Sequence, residues 1–211
     1  MNADKRDFDK EANRWDEAPG RVKLAADIAA AITDAGIINT DMNVLDFGCG
    51  TGLLTLHLQP LVHSVIGIDN SAGMLEVLRS KIESQNIANV QIRNMNIEQG
   101  DVMEGCYDLI VSSMTLHHIR EIKPLLDQFH KILAPRGYLC IADLYPDEGQ
   151  FHANSDGVFH NGFDRETLQR VFAAASFDII EFKTAAEVMK LVEGGTRRFS
   201  IFLVIAGQKT A

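Results

Sequence analysis

From residue 43 onward, short β-rich apolar runs alternate with segments of helical pattern, and this alternation constrains the fold more than any other feature of the chain. The runs are "NVLDF", "SVIGID", "VQIRNM", "YDLIVSS" and "GYLCIADL", and the stretches between them are long enough to hold crossover helices. Strands joined in this way pair in parallel, so a doubly wound α/β sheet with helices on both faces is expected. "SAGMLEVLRSKIESQ" opens on a Ser cap and carries Met74, Leu75, Leu78 and Ile82 at helical spacing, while "IKPLLDQFHKILAPRG" stops at a Pro and a Gly. Both read as helices.

The pattern changes after the fifth run. Asp164 caps a helix "RETLQRVFAAA", and "FDIIEFK" and "RRFSIFLVIAGQK" follow as strands with a Gly-containing connection between them. Two successive strands without a full crossover helix imply an antiparallel pair at the sheet edge. Ahead of the first strand, "RVKLAADIAAAITDAG" reads as a helix with Gly36 near its C-terminus, and residues 1–20, with the only Trp, Trp15, form an appended arm.

A chain of 211 residues with 46% hydrophobic and 23% charged residues is expected to be a single soluble globular domain. No apolar run reaches the roughly 20 residues that span a bilayer, and "MNADKRDFDKEANRWDEAPGR" lacks the apolar stretch of a signal peptide, so a cytoplasmic protein without membrane partners is expected. Twenty basic against twenty-nine acidic residues give a net charge of −9 and no visible basic cluster, which argues against nucleic acid as a partner. Cys49, Cys106 and Cys140 are odd in number, and the last lies inside an apolar run, so neither a disulfide framework nor a cysteine zinc site is expected.

The segment richest in chemistry is "VLDFGCGTG", a hydrophobic strand carrying Asp46, followed by Gly48, Gly50 and Gly52 and then the helical run "LLTLHLQ". Glycines at a strand-to-helix turn let a ligand touch the backbone and leave the helix N-terminal N–H groups pointing at it. A dinucleotide fingerprint would need a third glycine where Leu53 stands. Asp46 would also repel a pyrophosphate, yet it suits a ligand that carries positive charge. S-adenosylmethionine has a sulfonium and an ammonium group, and its one carboxylate can meet the helix N-terminus.

These residues resemble the class I S-adenosylmethionine-dependent methyltransferases over about residues 43–207. "VLDFGCGTG" is similar to the family's first motif, "IGIDNSAGML" to its second, "NMNI" to its adenine loop, "YDLIVSSMTLHHI" to its fourth motif and "ILAPRGYLCIADL" to its fifth. The resemblance implies a Rossmann-like seven-stranded sheet in the order 3-2-1-4-5-7-6 with strand 7 antiparallel. It divides the chain into an arm and helix (1–40), a cofactor-binding core (43–144), an acceptor-side connection (145–163) and a closing helix with the strand pair (164–207). It implies that Asp46 and the backbone of Gly48, Cys49 and Gly50 hold the methionine part of the cofactor, and that Asp69 accepts from both ribose hydroxyls. Asn70 and Met74 would flank the sugar and adenine, Asn96 and Ile97 would sit at the adenine edge, and Ser112 would meet the methionine ammonium. Asn96 departs from the family pattern, where Asp is frequent. Taken alone, Asp69 reads as a strand-end cap and Met74 as core.

Methyl transfer would take place at the C-terminal ends of the strands. His117 and His118 follow the fourth strand, where an imidazole can take a proton or hold an acceptor, or serve only to shape the pocket. Asp143 and Tyr145 face the same rim, with pairing to Arg136 as the alternative for Asp143. Phe151, His152, Phe159 and His160 lie in the connection that commonly lines the acceptor site in such enzymes, so Tyr145, Phe151, His152 and His160 are the expected substrate contacts. His152, Asp156 and His160 recur at four-residue spacing, but on one helix the end ligands would be about 12 Å apart, and "NSDG" reads as a turn. No metal is therefore expected. Phe8 and Trp15 of the arm, and the Gly194-Gly195 pair between the last strands, are expected to act as lids.

The function implied is S-adenosylmethionine-dependent transfer to a small-molecule acceptor by a monomer or homodimer. Two alternatives are a non-catalytic cofactor-binding scaffold and a nicotinamide-dependent oxidoreductase, the latter opposed by Leu53 and Asp46.

Overall fold

A computed structural model describes residues 7–152 and 154–209. Seven strands form one sheet: β1 (Asn43–Phe47), β2 (Ser64–Asp69), β3 (Val90–Asn94), β4 (Tyr107–Ser113), β5 (Leu133–Leu144), β6 (Phe177–Val192) and β7 (Gly195–Gln208). Their order is β3-β2-β1-β4-β5-β7-β6. β1 to β5 pair in parallel, and β7 runs antiparallel between β5 and β6. This is the expected Rossmann-like order, with β1 and β4 as neighbours at the point where the winding reverses.

Alternate residues along the central strands feed two cores, as the period of two requires. Leu45, Ile110, Leu139 and Ile141 pack on one face with Leu126 and Phe129 of α5 (Ile122–Ile132) and Phe172 of α6 (Arg165–Ala174). Val44, Leu109, Val111 and Cys140 pack on the other with Ile28 and Ile32 of α2 (Pro19–Thr33) and Leu54 and Leu58 of α3 (Leu53–Leu58). The expected caps are in place. Ser71 Oγ accepts from Met74 N at 3.1 Å to open α4 (Ala72–Ser84), and the Asp164 carboxylate accepts from Thr167 N at 2.8 Å to open α6. The bond to the Thr167 backbone holds the Asp164 carboxyl below its ordinary pKa.

Three boundaries differ from expectation. α2 begins at Pro19, since proline costs nothing in a first helical turn. β5 begins at Leu133, directly after α5, because Leu133 already pairs with Tyr107; a register shift between Tyr107 and Leu109 absorbs the Pro135–Gly137 turn. The largest difference is at "MKLVEGGTRR", expected as a loop, where the β6–β7 ladder continues to the pair Val192↔Gly195. Glu193 and Gly194 form the turn between the paired ends, and Gly194, at φ 95°, supplies the backbone conformation it needs. The last β5–β7 pair is Leu144↔Ile201, so the distal half of the hairpin projects past the sheet, bent by register shifts at Ile179/Glu181 and Thr184/Ala186.

The arm is structured over its described residues as a short helix α1 (Phe8–Glu11) and a 3-10 turn, Ala12–Glu17. Cys49, Cys106 and Cys140 are free thiols. Among the described residues no helix is long and apolar enough to cross a membrane.

Candidate active site

A cavity of about 820 Å³ opens at the C-terminal ends of β1, β2 and β4. One end is built by the turn that follows β1. Gly48 N and Cys49 N donate to Ile68 O at 2.8 and 3.0 Å, which docks the turn on β2. Gly48 (φ 74°) and Gly52 (φ 81°) adopt left-handed backbone, and a Cβ there would lie 2.2 Å from Thr115 Oγ1 and 2.3 Å from Leu78 Cδ1 respectively. Only glycine satisfies both the conformation and the close packing at these two positions.

Two carboxylates border this turn. Asp69, ending β2, accepts from Gly50 N and Ser71 N, both at 2.8 Å. Burial raises its pKa, and these backbone N–H groups oppose the rise. Asp46 is fully buried and accepts from Thr55 Oγ at 2.5 Å. Its pKa is pushed up to about 7, first by burial and then by the charge of Asp69, with the Thr55 hydroxyl acting against both. Two acids whose ionisation is disfavoured by burial form a place where a cation is electrostatically welcome, since it favours the ionised form.

The other end of the cavity is built around histidine. His117 and His118 lie on a 3-10 turn, Leu116–His118, after β4. The His117 ring is buried with Nδ1 at 2.6 Å from Asp143 Oδ1, at the end of β5. Asp143 also accepts from His117 N at 3.2 Å and Leu144 N at 2.7 Å. Burial by itself would raise the Asp143 carboxyl, but the charge and hydrogen bond of His117 outweigh it and hold the group below its ordinary pKa. His118 donates from Nδ1 to Gly157 O at 2.7 Å. His152 completes the group, its ring centroid 4.8 Å from that of His117 and 5.6 Å from that of His118. Phe8 of the arm meets the His118 ring edge-on at 5.4 Å, and Val188, Met189 and Lys190 of the projecting hairpin line the same space.

A family model described as "Methyltransferase domain" matches residues 21–181. The chain belongs to this methyltransferase family. An uncharacterised methyltransferase of Schizosaccharomyces pombe is 31% identical over 155 residues, which cover 66% of this chain and 55% of that one. The chain thus spans about half the length of that relative. Among solved structures, YcgJ of Bacillus subtilis matches with a TM-score of 0.70 at 17% identity, over 87% of this chain and 98% of that one. DhpI in complex with SAH matches with a TM-score of 0.72 at 18% identity, over 97% of this chain and 94% of that one. These structures share the fold.

Within this methyltransferase domain, Asp46, Gly48, Cys49, Gly50, Asp69, Asn70, Met74, Asn96 and Ile97 all line the cavity. Asn96 also has a local duty: its side-chain oxygen accepts from Glu98 N at 3.1 Å and caps the turn that follows. Ser112 departs from expectation. It is buried and donates to Phe47 O at 3.0 Å, tying β4 to β1, while the next residue, Ser113, reaches the cavity because side chains alternate along a strand.

On the histidine side, His117, His118, Phe151 and His152 line the cavity, whereas Tyr145 and His160 do not. Tyr145 packs against Phe182 and Phe202, with ring centroids at 5.9 and 5.7 Å, and borders a separate shallow cleft. His160 contacts Ile119 O through Nε2 at 2.9 Å and stacks near Phe163, so it fastens the connection to the β4 turn. Asp143 pairs with His117 instead of Arg136, which is exposed at the opposite end of β5. His152, Asp156 and His160 do not form one cluster; among the described residues the three histidines that gather are His117, His118 and His152. Thr115, inside the fourth motif but not singled out there, also lines the cavity, as do the hairpin residues Val188 to Lys190, which no motif marked because only the fold of distant segments brings them there.

Proposed function

We propose that the chain is an S-adenosylmethionine-dependent methyltransferase that acts on a small-molecule acceptor by in-line transfer. One observation carries this reading: a single cavity joins the two-carboxylate glycine turn to the histidine-lined end. The residues at the turn fit the cofactor. Asp69 is an acceptor-only group suited to ribose hydroxyls, Asp46 suits the cationic methionine portion, and Met74 and Ile97 offer polarisable and apolar surface to an adenine ring. When bound, the cofactor supplies a methyl group on a sulfonium, which leaves as a neutral thioether. The contribution of the chain is alignment and exclusion of water, which supply much of the acceleration in a displacement of this kind.

A small acceptor is supported by the cavity. A volume of about 820 Å³ is within the range of small-molecule sites. Phe8 and Trp15 of the arm and Val188 of the hairpin add apolar walls to this cavity, the kind of lining small-molecule sites use. The net charge of −9 further opposes a nucleic-acid acceptor.

Calorimetry with S-adenosylmethionine, its demethylated product and NAD tests the cofactor: the first two bind and NAD does not, and binding of NAD alone overturns the reading. Incubation of a metabolite extract with methyl-labelled cofactor, followed by mass spectrometry, identifies the acceptor. Label appearing only in protein or nucleic acid would remove the small-molecule assignment.

A further inference from the structure

His117, His118 and His152 offer ligand atoms that all lie within 4.8 Å of one another. Their hydrogen bonds decide which nitrogens are available. A metal binds imidazole in its neutral form and displaces the proton of a cationic ring. A carbonyl oxygen and an ionised carboxylate only accept, so in that form His118 carries its proton on Nδ1, toward Gly157 O, and His117 on Nδ1, toward Asp143. In that form Nε2 of each ring is the unprotonated nitrogen. Among the described residues His117 Nε2 has no hydrogen-bond partner, in a residue only 1% exposed. A buried acceptor left unsatisfied is costly unless something else engages it.

Imidazoles whose outer nitrogens are held by a carboxylate and a backbone carbonyl are arranged as metal ligands are, with the partner fixing tautomer and ring orientation. We propose that His117, His118 and His152 form a site for a zinc-like divalent metal, with a fourth position open toward the cavity. Three imidazoles and an exchangeable position make up a catalytic rather than a structural coordination set. Nitrogens around a tetrahedral zinc at about 2.0–2.1 Å lie roughly 3.4 Å apart, so the group contracts slightly on loading. The partly exposed His152 ring can turn to allow it. Asp143 acts as the positioning residue for His117. Asp156 lines the same cavity, and Lys190, which also lines it, donates to Phe151 O at 2.6 Å.

The site deepens the proposed function and rests on it only for its use in methyl transfer; metal binding itself does not. An acceptor with an oxygen or sulfur nucleophile would fill the open position and lose its proton to water. Its lone pair then forms the bond to the methyl carbon as the carbon–sulfur bond breaks and that pair stays on the cofactor sulfur. The metal is unchanged.

The test uses tag-free full-length protein treated with chelator, then titrated with Zn²⁺ by calorimetry and with Co²⁺ by visible absorption. One site per chain with a tetrahedral Co²⁺ spectrum is expected. Asp143→Asn should weaken it about 10–100-fold, His152→Ala should weaken it further, and the exposed His63→Ala should leave it unchanged. His152→Gln, which keeps the side-chain volume, should reproduce the loss in a folded protein. Absence of binding to the wild type, or binding indifferent to His152→Ala and His152→Gln, overturns the site. S-adenosylmethionine affinity measured on the same metal-free samples separates the two readings: retained cofactor binding without metal binding removes the metal site alone, and lost cofactor binding removes the proposed function.

Discussion

The two ends of the cavity are assembled in different ways. The glycine-turn end comes mainly from residues 46–74, one continuous β1–α3–β2–α4 unit in which Asp69 joins the turn to α4 through Gly50 N and Ser71 N, with Asn96 and Ile97 added from the turn after β3. The histidine end is gathered from the turn after β4, the connection after β5, the tip of the β6–β7 hairpin and the N-terminal arm. Backbone N–H groups and buried carboxylates hold the first end; ring contacts and side-chain bonds to loop carbonyls hold the second. A ligand common to many chemistries is suited by the rigid unit, and an acceptor specific to one is suited by the assembly of loops.

The largest expected effect tests whether the ends are mechanically separate. Gly48→Ala places a Cβ 2.2 Å from Thr115 Oγ1 at φ 74°. Left-handed strain and overpacking together should lower stability by about 2–5 kcal/mol in urea unfolding. Thr115 begins the turn that carries His117, so the variant should also disturb the histidine end. A loss below about 1 kcal/mol would show that the turn yields freely, contrary to its docked geometry.

Next in size is a pH effect confined to the glycine-turn end. With its pKa near 7, folded ligand-free protein keeps a proton on Asp46 where the unfolded chain, at about 3.9, has lost it. The folded state then binds more protons across that window, so stability is greatest below it and falls as pH rises from about 4 to 7. The total is on the order of 2–4 kcal/mol, read as the difference between wild type and Asp46→Asn in unfolding at each pH. A cationic ligand favours the ionised form, so its affinity should rise over the same range with proton release, measurable by calorimetry in buffers of different ionisation enthalpy. Parallel pH profiles for the two proteins would remove Asp46 from the account.

The same contrast explains what could be read from the chain. The alternation of strands and helices, the helix caps at Ser71 and Asp164, and the carboxylates at the glycine turn depend on local periodicity and spacing, which sequence states directly; the full strand order is non-local and follows only from the family resemblance. Ser113 and not Ser112 lines the cavity, because a one-residue step along a strand changes which side chain faces it. His160 and Tyr145 lie in the expected segment but turn elsewhere, toward Ile119 O and Phe202, since a loop carries no periodicity to fix direction. "VEGGT" has the composition of a loop, whereas strand pairing supplied by residues 195–200 extends the ladder through it. Convergence of His152 on His117 and His118 is a tertiary fact with no local signature.

Asp69→Ala addresses the cofactor directly. Losing charge-assisted hydrogen bonds to ribose should weaken S-adenosylmethionine binding by about 1–3 kcal/mol. Because Asp69 also receives Gly50 N and Ser71 N, Asp69→Asn separates the roles, retaining one acceptor for the turn while losing the charge. Equal affinities for wild type and both variants in calorimetry would remove the ribose assignment.

The smallest expected effect concerns the arm, which touches both ends. Asp9 accepts from Ser71 Oγ at 2.6 Å and Gly73 N at 2.7 Å, fastening the arm to the start of α4, while Phe8 reaches the His118 ring and packs 5.8 Å from Trp15. Trp15 is in turn covered by Arg21 at 3.7 Å. If this is a lid, Asp9→Ala should loosen it by about 1 kcal/mol, the scale of hydrogen bonds to an exposed carboxylate, and leave global unfolding nearly unchanged. Limited proteolysis should then cut residues 8–17 faster in the variant, and S-adenosylmethionine should slow cutting in both proteins by ordering the arm over an occupied cavity. Identical cutting in wild type and variant, with and without ligand, would make the arm a fixed wall shared by the two ends instead of a gate between them and solvent.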